Sequence, residues 1–427
     1  MRRALLTLFA SAALFTSSAA ADVIVIDLEN GETIQAAIDA VSSGDTILVE
    51  GTKSAVSTSE FAVDVGKGLT LIGEVPGANP RFFIRRVAVR NLPAGQDVTF
   101  VQMNVSGPGG EGLSLTNNTG SVSFYDVHVE GAQGQSENGQ GQLPLPGNTG
   151  TFINSCNTVH FVNSFIEGRE GGNVLSGIGL ATTPGGAGME ANNSSISFFN
   201  AAARGGQGGS SGFIYSPKAD AGGPGTIATD SKLHLNNSFF QGGPAGEDGT
   251  GGSLSTPGGL GYQQNGVSAV ATLRRCAFSG GAGFGVSPMG PASHIVAGAV
   301  VTYPSPIGLM RIEGNSPVRE AEPIIVNGLQ IMGGTQVFLL TGFAPGYLSL
   351  PSREGVLTLG LPVATDLILI GTSPTITFNN HFSLGNAPLL PLGFEEVHLY
   401  LQTIEIPASA PATLGAPQHL TILAAGF

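Results

Sequence analysis

The 427-residue chain has no tryptophan, only two cysteines, and so few charges that Asp, Glu, Lys and Arg together make up 11% of it. An ordinary globular domain carries about 25%. No basic footprint for a phosphate backbone is present, which excludes nucleic acid as a partner. Past residue 21 the balance is 15 basic against 30 acidic side chains, a formal charge of −15. A polyuronate is repelled by such a chain unless divalent cations bridge it. Metal-site spacings such as C-x-x-C and H-E-x-x-H are missing, so no metal centre and no resident cofactor is expected. Also missing beyond the first residues is any apolar run of the roughly 20 residues that span a bilayer, so no transmembrane segment is expected in the mature chain.

The opening "MRRALLTLFASAALFTSSAAADV" has two arginines, an apolar run from Ala4 to Phe15, and small residues ending in Ala19-Ala20-Ala21. That order is the pattern of a secretory signal peptide over residues 1–21. The expected location is therefore extracellular or at the cell surface, with extracellular polysaccharide or cell-surface components as partners.

Glycine is plentiful, at 65 residues, and it marks a repeat. "VHFVNSFIEG" (159–168), "ISFFNAAARG" (196–205), "LHLNNSFFQG" (233–242) and "ATLRRCAFSG" (271–280) align at offsets of 37, 37 and 38 residues. "VTFVQMNVSG" (98–107) and "VSFYDVHVEG" (122–131) fit the same ten-residue template at an offset of 24. A fixed period of this size is the mark of a solenoid. Positions 1, 3, 6 and 8 are apolar or small in every copy, with the alternation changing phase at position 5, so each copy reads as two short strands joined by a bend. Position 5 is Gln102, Asp126, Asn163, Asn200, Asn237 and Arg275. Asn tolerates the left-handed backbone of a sharp bend, and Asn163, Asn200 and Asn237 are placed to bond amide to amide from turn to turn. Position 10 is always Gly, suited to a chain leaving the strand with positive φ.

This pattern resembles the right-handed parallel β-helix of the pectin lyase-like superfamily, which includes pectate lyases, polygalacturonases and pectin methylesterases. "GETIQAAIDAVSSGDTILVEGT" followed by "GLTLIGEVPG" is similar to the opening of that superfamily: an amphipathic helix, a Gly-Asp turn and first strands. The helix places Ile34, Ala37, Ile38 and Val41 on one face, closing the end of the solenoid, with Gly44 where a C-terminal cap sits. The expected fold is all-β: a right-handed parallel β-helix solenoid with an N-terminal capping helix over residues 22–290, then a small antiparallel β-sandwich over 291–427. "HIVAGAVVTY", "PIIVNGLQIM", "TQVFLLTGF", "GVLTLGL", "EVHLYLQTIEI" and "HLTILAAGF" supply strands of that second part. Its end, "LYLQTIEIPASAPATLGAPQHLTIL", resembles the closing module of secreted proteins from planctomycete-like bacteria. Stacking at about 4.8 Å per turn sets Cys156 and Cys276 about 14 Å apart, too far for a disulfide, so two free thiols are expected.

A bare turn needs 24 residues (Phe100 to Phe124), so each 37-residue turn carries about 13 extra after the same Gly, as in "GGQGGSSGFIYSPKADAGGPG". Inserts at one phase of a solenoid stack on one side, either as flexible solvated loops or as a surface that meets a partner.

Chemistry-bearing residues are sparse. Position 9 of the template points outward and reads Ser106, Glu130, Glu167, Arg204, Gln241 and Ser279. Glu130 and Glu167 on adjacent turns, with Arg204 one turn on, are the candidate catalytic residues: neighbouring carboxylates for acid and base, and a cation for developing charge. The same carboxylates offer oxygen ligands to Ca²⁺. The bland alternative is an exposed ion pair contributing ~0 to 1 kcal/mol. His128 at position 7, and His160 and His234 at position 2, read as exposed. The polygalacturonase motifs Asn-Thr-Asp, Asp-Asp, Gly-His-Gly and Arg-Ile-Lys are all missing, and no acidic cluster of the pectate lyase kind is found. The expected function is accordingly a noncatalytic, structural or adhesive surface protein that binds glycan, with a polysaccharide lyase or glycoside hydrolase as the alternative.

Overall fold

The computed structural model describes residues 22–426 except 51–60, 64–66, 75–81, 108, 137–142, 175–180, 212–218, 248–255, 284–288, 303–311, 315–316, 329–335, 343–344, 351–354, 360–363, 373–379, 388, 391–394 and 407–411. The expected leader, 1–21, lies outside the described residues. No described helix is long and apolar enough to cross a membrane.

The repeats form a parallel β-helix of three sheets with ten, seven and eight strands. In one turn the chain runs through Thr158–Val162 in the first sheet, bends at Asn163, and runs through Phe165–Glu167 in the second. It leaves on an insert, returns as Met189–Asn192 in the third sheet, and bends again at Asn193. The six aligned segments stack in the expected register: Phe124 lies between Phe100 and Phe161, and Phe161 pairs with Phe198. The consequence is an internal aromatic column, with ring centroids 5.1, 5.0 and 5.0 Å apart from Phe100 to Phe198, all three pairs stacked. Every position-1, position-3 and position-8 residue through the first four copies is buried, the geometry that apolar alternation with period two demands.

Both corners depend on left-handed residues. All six position-5 residues have positive φ, from 48° at Arg275 to 57° at Gln102, whereas the position-10 glycines, expected to have it, do not; there the neighbouring backbone leaves no room for a Cβ. Asn200 donates its amide to Asn163 Oδ1 at 2.9 Å, and Asn237 donates to Asn200 Oδ1 at 3.0 Å. The second corner has its own left-handed column of Asn91, Asn117, Ser155, Asn193 and Asp230. Its residue types vary, which hid it from the template. Both cysteines are free, but they sit at different corners. Cys276 follows the first bend, and Cys156 follows the second, where its N–H donates to Ser194 Oγ at 3.0 Å.

The capping helix is Ile34–Ala40, with the Thr33 hydroxyl accepting from the Ala36 N–H at 3.2 Å. Ile34, Ala37, Ile38 and Val41 are buried in the same core as the solenoid interior, and Gly44 takes a φ of 101° in the turn after the helix. At the other end the parallel sheets run past residue 290, through Ser293–Ile295 and Ala299–Thr302. The described part of "HIVAGAVVTY", residues 294–302, thus belongs to the solenoid and not to the second part.

The described arms of the inserts are packed, which corrects the flexible-loop reading. Outgoing and returning arms form two layers beside the solenoid. Gly171 donates to Gln207 O at 2.9 Å and Gly208 to Pro244 O at 3.0 Å within one layer; Gly206 donates to Gly186 O, and Gly223 to Gly206 O, at 2.8 Å between layers. Residues 205–210 bury two of every three and leave Gln207 and Ser210 partly exposed. A period of three is that of an extended polyproline-II strand. A Cβ on Gly206, Gly223 or Gly243 would overlap the carbonyl oxygen of Arg169, Gly186 or Gly206, so this spacing is open to glycine alone.

After residue 311 the chain forms a small mixed sheet system. Five strands lie in the order Val318–Arg319, Thr413–Leu423, Glu396–Ile406, Gln336–Gly342, Ala364–Thr372; the first pair is parallel and the rest antiparallel. This part covers the outer face of the first solenoid sheet: Leu414, Ala416 and Tyr400 share an apolar cluster with Leu48, Ile72, Val101, Val162 and Phe199. Thr46 Oγ1 and His398 Nε2 are 3.0 Å apart, as are Thr99 Oγ1 and the Tyr400 hydroxyl at 3.1 Å. Glu395 ties the two ends of the described chain together, accepting from the Val23 N–H at 2.8 Å through its carboxylate and from the Ala424 N–H at 2.7 Å through its carbonyl.

Candidate functional site

Position 9 of each template copy lies on the outer face of the second sheet. Parallel pairing sets Glu130 beside Glu167, Glu167 beside Arg204, and Arg204 beside Gln241. The structure therefore brings the three sequence-derived candidates into one column. Each carboxylate is partly exposed, at 22% of its side chain, and each meets a cation: Glu167 Oε1 is 3.8 Å from Arg204 Nη1, and Glu130 Oε2 is held by the Arg169 guanidinium.

Arg169 was not singled out in the sequence because it stands just beyond the template, one residue past Gly168. Its own turn is that of Glu167, yet its side chain reaches back to Glu130 one turn before. The outgoing glycine arm, tied in place through the Arg169 N–H to Asn148 O at 3.1 Å, sets that direction.

His128 joins the same cluster. Residues two apart on a strand share a face, so His128 and Glu130 point the same way, and His128 Nε2 lies 3.5 Å from Glu130 Oε1. Position 7 adds aromatic surface beside the charged column: along successive turns it reads Phe83, Asn104, His128, Phe165, Ala202 and Phe239, so His128 and Phe165 are neighbours while Phe83 and Phe239 are each separated from them by one turn, at Asn104 and Ala202. Phe83 and Phe239 are 43% and 40% exposed. The His128 and Phe165 rings tilt against each other with centroids 5.1 Å apart.

Between this face and the outgoing arms lies a hollow of about 270 Å³, lined by Glu167, Arg169, Glu170, Arg204, Gln133, Gln207 and Pro244. Gln133, Glu170, Gln207 and Pro244 are the third-position residues of four successive arms, so the period of three that packs the glycines also presents these side chains to the hollow.

His160 and His234 are buried, contrary to expectation. They sit on the outer face of the first sheet, and the C-terminal sheets cover that face. The His160 imidazole bonds to Ser197 Oγ, and the His234 ring lies against Phe199 with centroids 5.6 Å apart. Burial pushes the His234 imidazole down to about 3, with Arg274 and His160 adding to the effect.

No family model, no curated protein and no solved structure matches this chain.

Proposed function

We propose that the protein is a noncatalytic extracellular or cell-surface β-helix whose second-sheet face binds glycan chains. The observation that carries this reading is the presence, on one accessible face, of partly exposed aromatic side chains next to a charged column and a polar hollow. Aromatic faces accept the C–H side of a sugar ring, while carboxylates and guanidinium groups bond its hydroxyls. The repeat sets neighbouring turns about 4.8 Å apart, so the charged side chains of Glu130, Glu167 and Arg204 follow one another turn by turn, and Phe165 and Phe239 stand two turns apart on either side of Ala202. The leader pattern of residues 1–21 supports placement outside the cell. Against hydrolysis or elimination stands the engagement of both carboxylates by guanidinium groups, Arg169 on Glu130 and Arg204 on Glu167. The likeness to the pectin lyase-like group supports the architecture and carries no activity with it.

The test is retention of the mature protein on immobilised acidic and neutral polysaccharides, recorded with new reducing ends and absorbance at about 235 nm for the unsaturated product of a lyase. Retention without cleavage, weakened by Phe239→Ala and by Arg204→Ala, is the expected outcome. Cleavage abolished by Glu167→Gln would replace this reading with an enzymatic one.

A further inference from the structure

We infer that His128, Glu130 and Glu167 form a divalent-cation site of the zinc class on the second-sheet face. One imidazole nitrogen and one oxygen from each carboxylate lie within 4.8 Å of one another. Ligand atoms on a tetrahedral zinc, each about 2.1 Å from the ion, stand about 3.4 Å apart. His128 Nε2 and Glu130 Oε1 are already at that spacing, 3.5 Å. Glu167 supplies the third ligand atom, within 4.8 Å of the other two, from the strand paired directly to that of Glu130.

The surroundings hold the ligands in place. Arg169 engages Oε2 of Glu130, which leaves Oε1 directed at the imidazole. The Phe165 ring lies against His128 and limits its rotation. Partners of this kind, outside the ligand set itself, orient ligands for a metal. All three ligands stand on paired strands, which position a site more sharply than loops do. Three protein ligands with partly exposed side chains leave a coordination position open to water or to a bound molecule.

The imidazole decides the class of ion. Calcium takes six to eight oxygen ligands, whereas a nitrogen with two carboxylates suits zinc and its neighbours. Adding His128 to the carboxylate pair thus moves the preference away from the Ca²⁺ that the two glutamates alone suggest.

The experiment is calorimetric titration of the folded, chelator-treated protein with zinc chloride and, separately, calcium chloride, with no glycan present, so that this inference and the glycan reading fail separately. One zinc per chain is expected, bound at least about tenfold more tightly than calcium. His128→Gln and Glu167→Gln each weaken zinc by about tenfold or more. Arg204→Gln removes a positive charge some 4 Å from Glu167 and tightens zinc by about fivefold, a gain that misfolding cannot produce. Lack of stoichiometric zinc binding, zinc binding unchanged in His128→Gln, calcium bound as tightly as zinc, or no gain in Arg204→Gln would each overturn the assignment.

Discussion

At two corners of each solenoid turn one residue takes a backbone conformation that costs most side chains about 1–2 kcal/mol. Asparagine lowers that cost and, in the first corner, adds a bond to the turn before: Asn200 sits between Asn163 and Asn237, at 2.9 and 3.0 Å. Two substitutions separate these contributions. Asn200→Gly keeps the φ of 51° accessible and loses only the amide bonds, for about 1 kcal/mol; Asn200→Ala is expected to lose a further 1–2 kcal/mol or so through strain. Urea unfolding of both variants measures the difference, and equal losses would assign everything to the amides. The first corner was legible because one position repeats Asn three times. The second was not, because Asn, Ser and Asp share its left-handed role without sharing a side chain that a template would align.

Among elements, the inserts diverge most from the expectation. Their glycines were plain in the sequence, in stretches such as "GGQGGSS" and "GGPAGED". Composition alone assigns such runs to solvated loops, and what distinguishes an arm is the spacing of three together with a neighbouring arm to lie on. Packing makes single methyl groups costly. Gly206→Ala drives a Cβ into the Arg169 backbone at its carbonyl, which cannot swing aside as a side chain would, so a loss of about 3 kcal/mol or more is expected, at the upper end of overpacking costs. Gly109→Ala is the control, since nothing lies within 4 Å of a Cβ there, and its melting temperature should match the wild type. Equal behaviour of the two variants would mean that the arms are not packed in solution. The same arms explain why the site was only partly readable. The Glu130, Glu167 and Arg204 column follows from the template, whereas Arg169 enters from an arm.

For the whole molecule, the cover over the first sheet governs the response to acid. Burial, reinforced by His398, holds the His419 imidazole well below its ordinary value, and His234 is pushed down to about 3. Both are neutral when folded and take up a proton near pH 6.5 when unfolded. Their contribution is therefore complete above about pH 6.5 and is lost as the pH falls toward the folded values. Asp97 acts in the opposite sense: burial, against hydrogen bonds from Ser121, pushes its carboxyl up to about 6, so its contribution is present at low pH and lost as the pH rises through about 6. On acidification from pH 6 the two histidines act together against the one aspartate, so stability falls. Thermal melts across that range should fall, and His234→Gln should flatten the slope; a melting temperature that rises on acidification would refute the account. The cover could not be read from the repeats, because nothing in a solenoid copy reports what a distant segment lays over it. His160 and His234 read as exposed for that reason.

The clasp at Glu395 bears on how the molecule carries load. It brings Val23 and Ala424 to the same end of the solenoid, beside the helix-capped first turns. The strand Ala299–Thr302 lies at the opposite end of the ten-stranded sheet. Tension applied between Val23 and Ala424 would load the clasp together with the contacts that hold the C-terminal sheets on the first solenoid sheet, among them Thr46 with His398 and Thr99 with Tyr400.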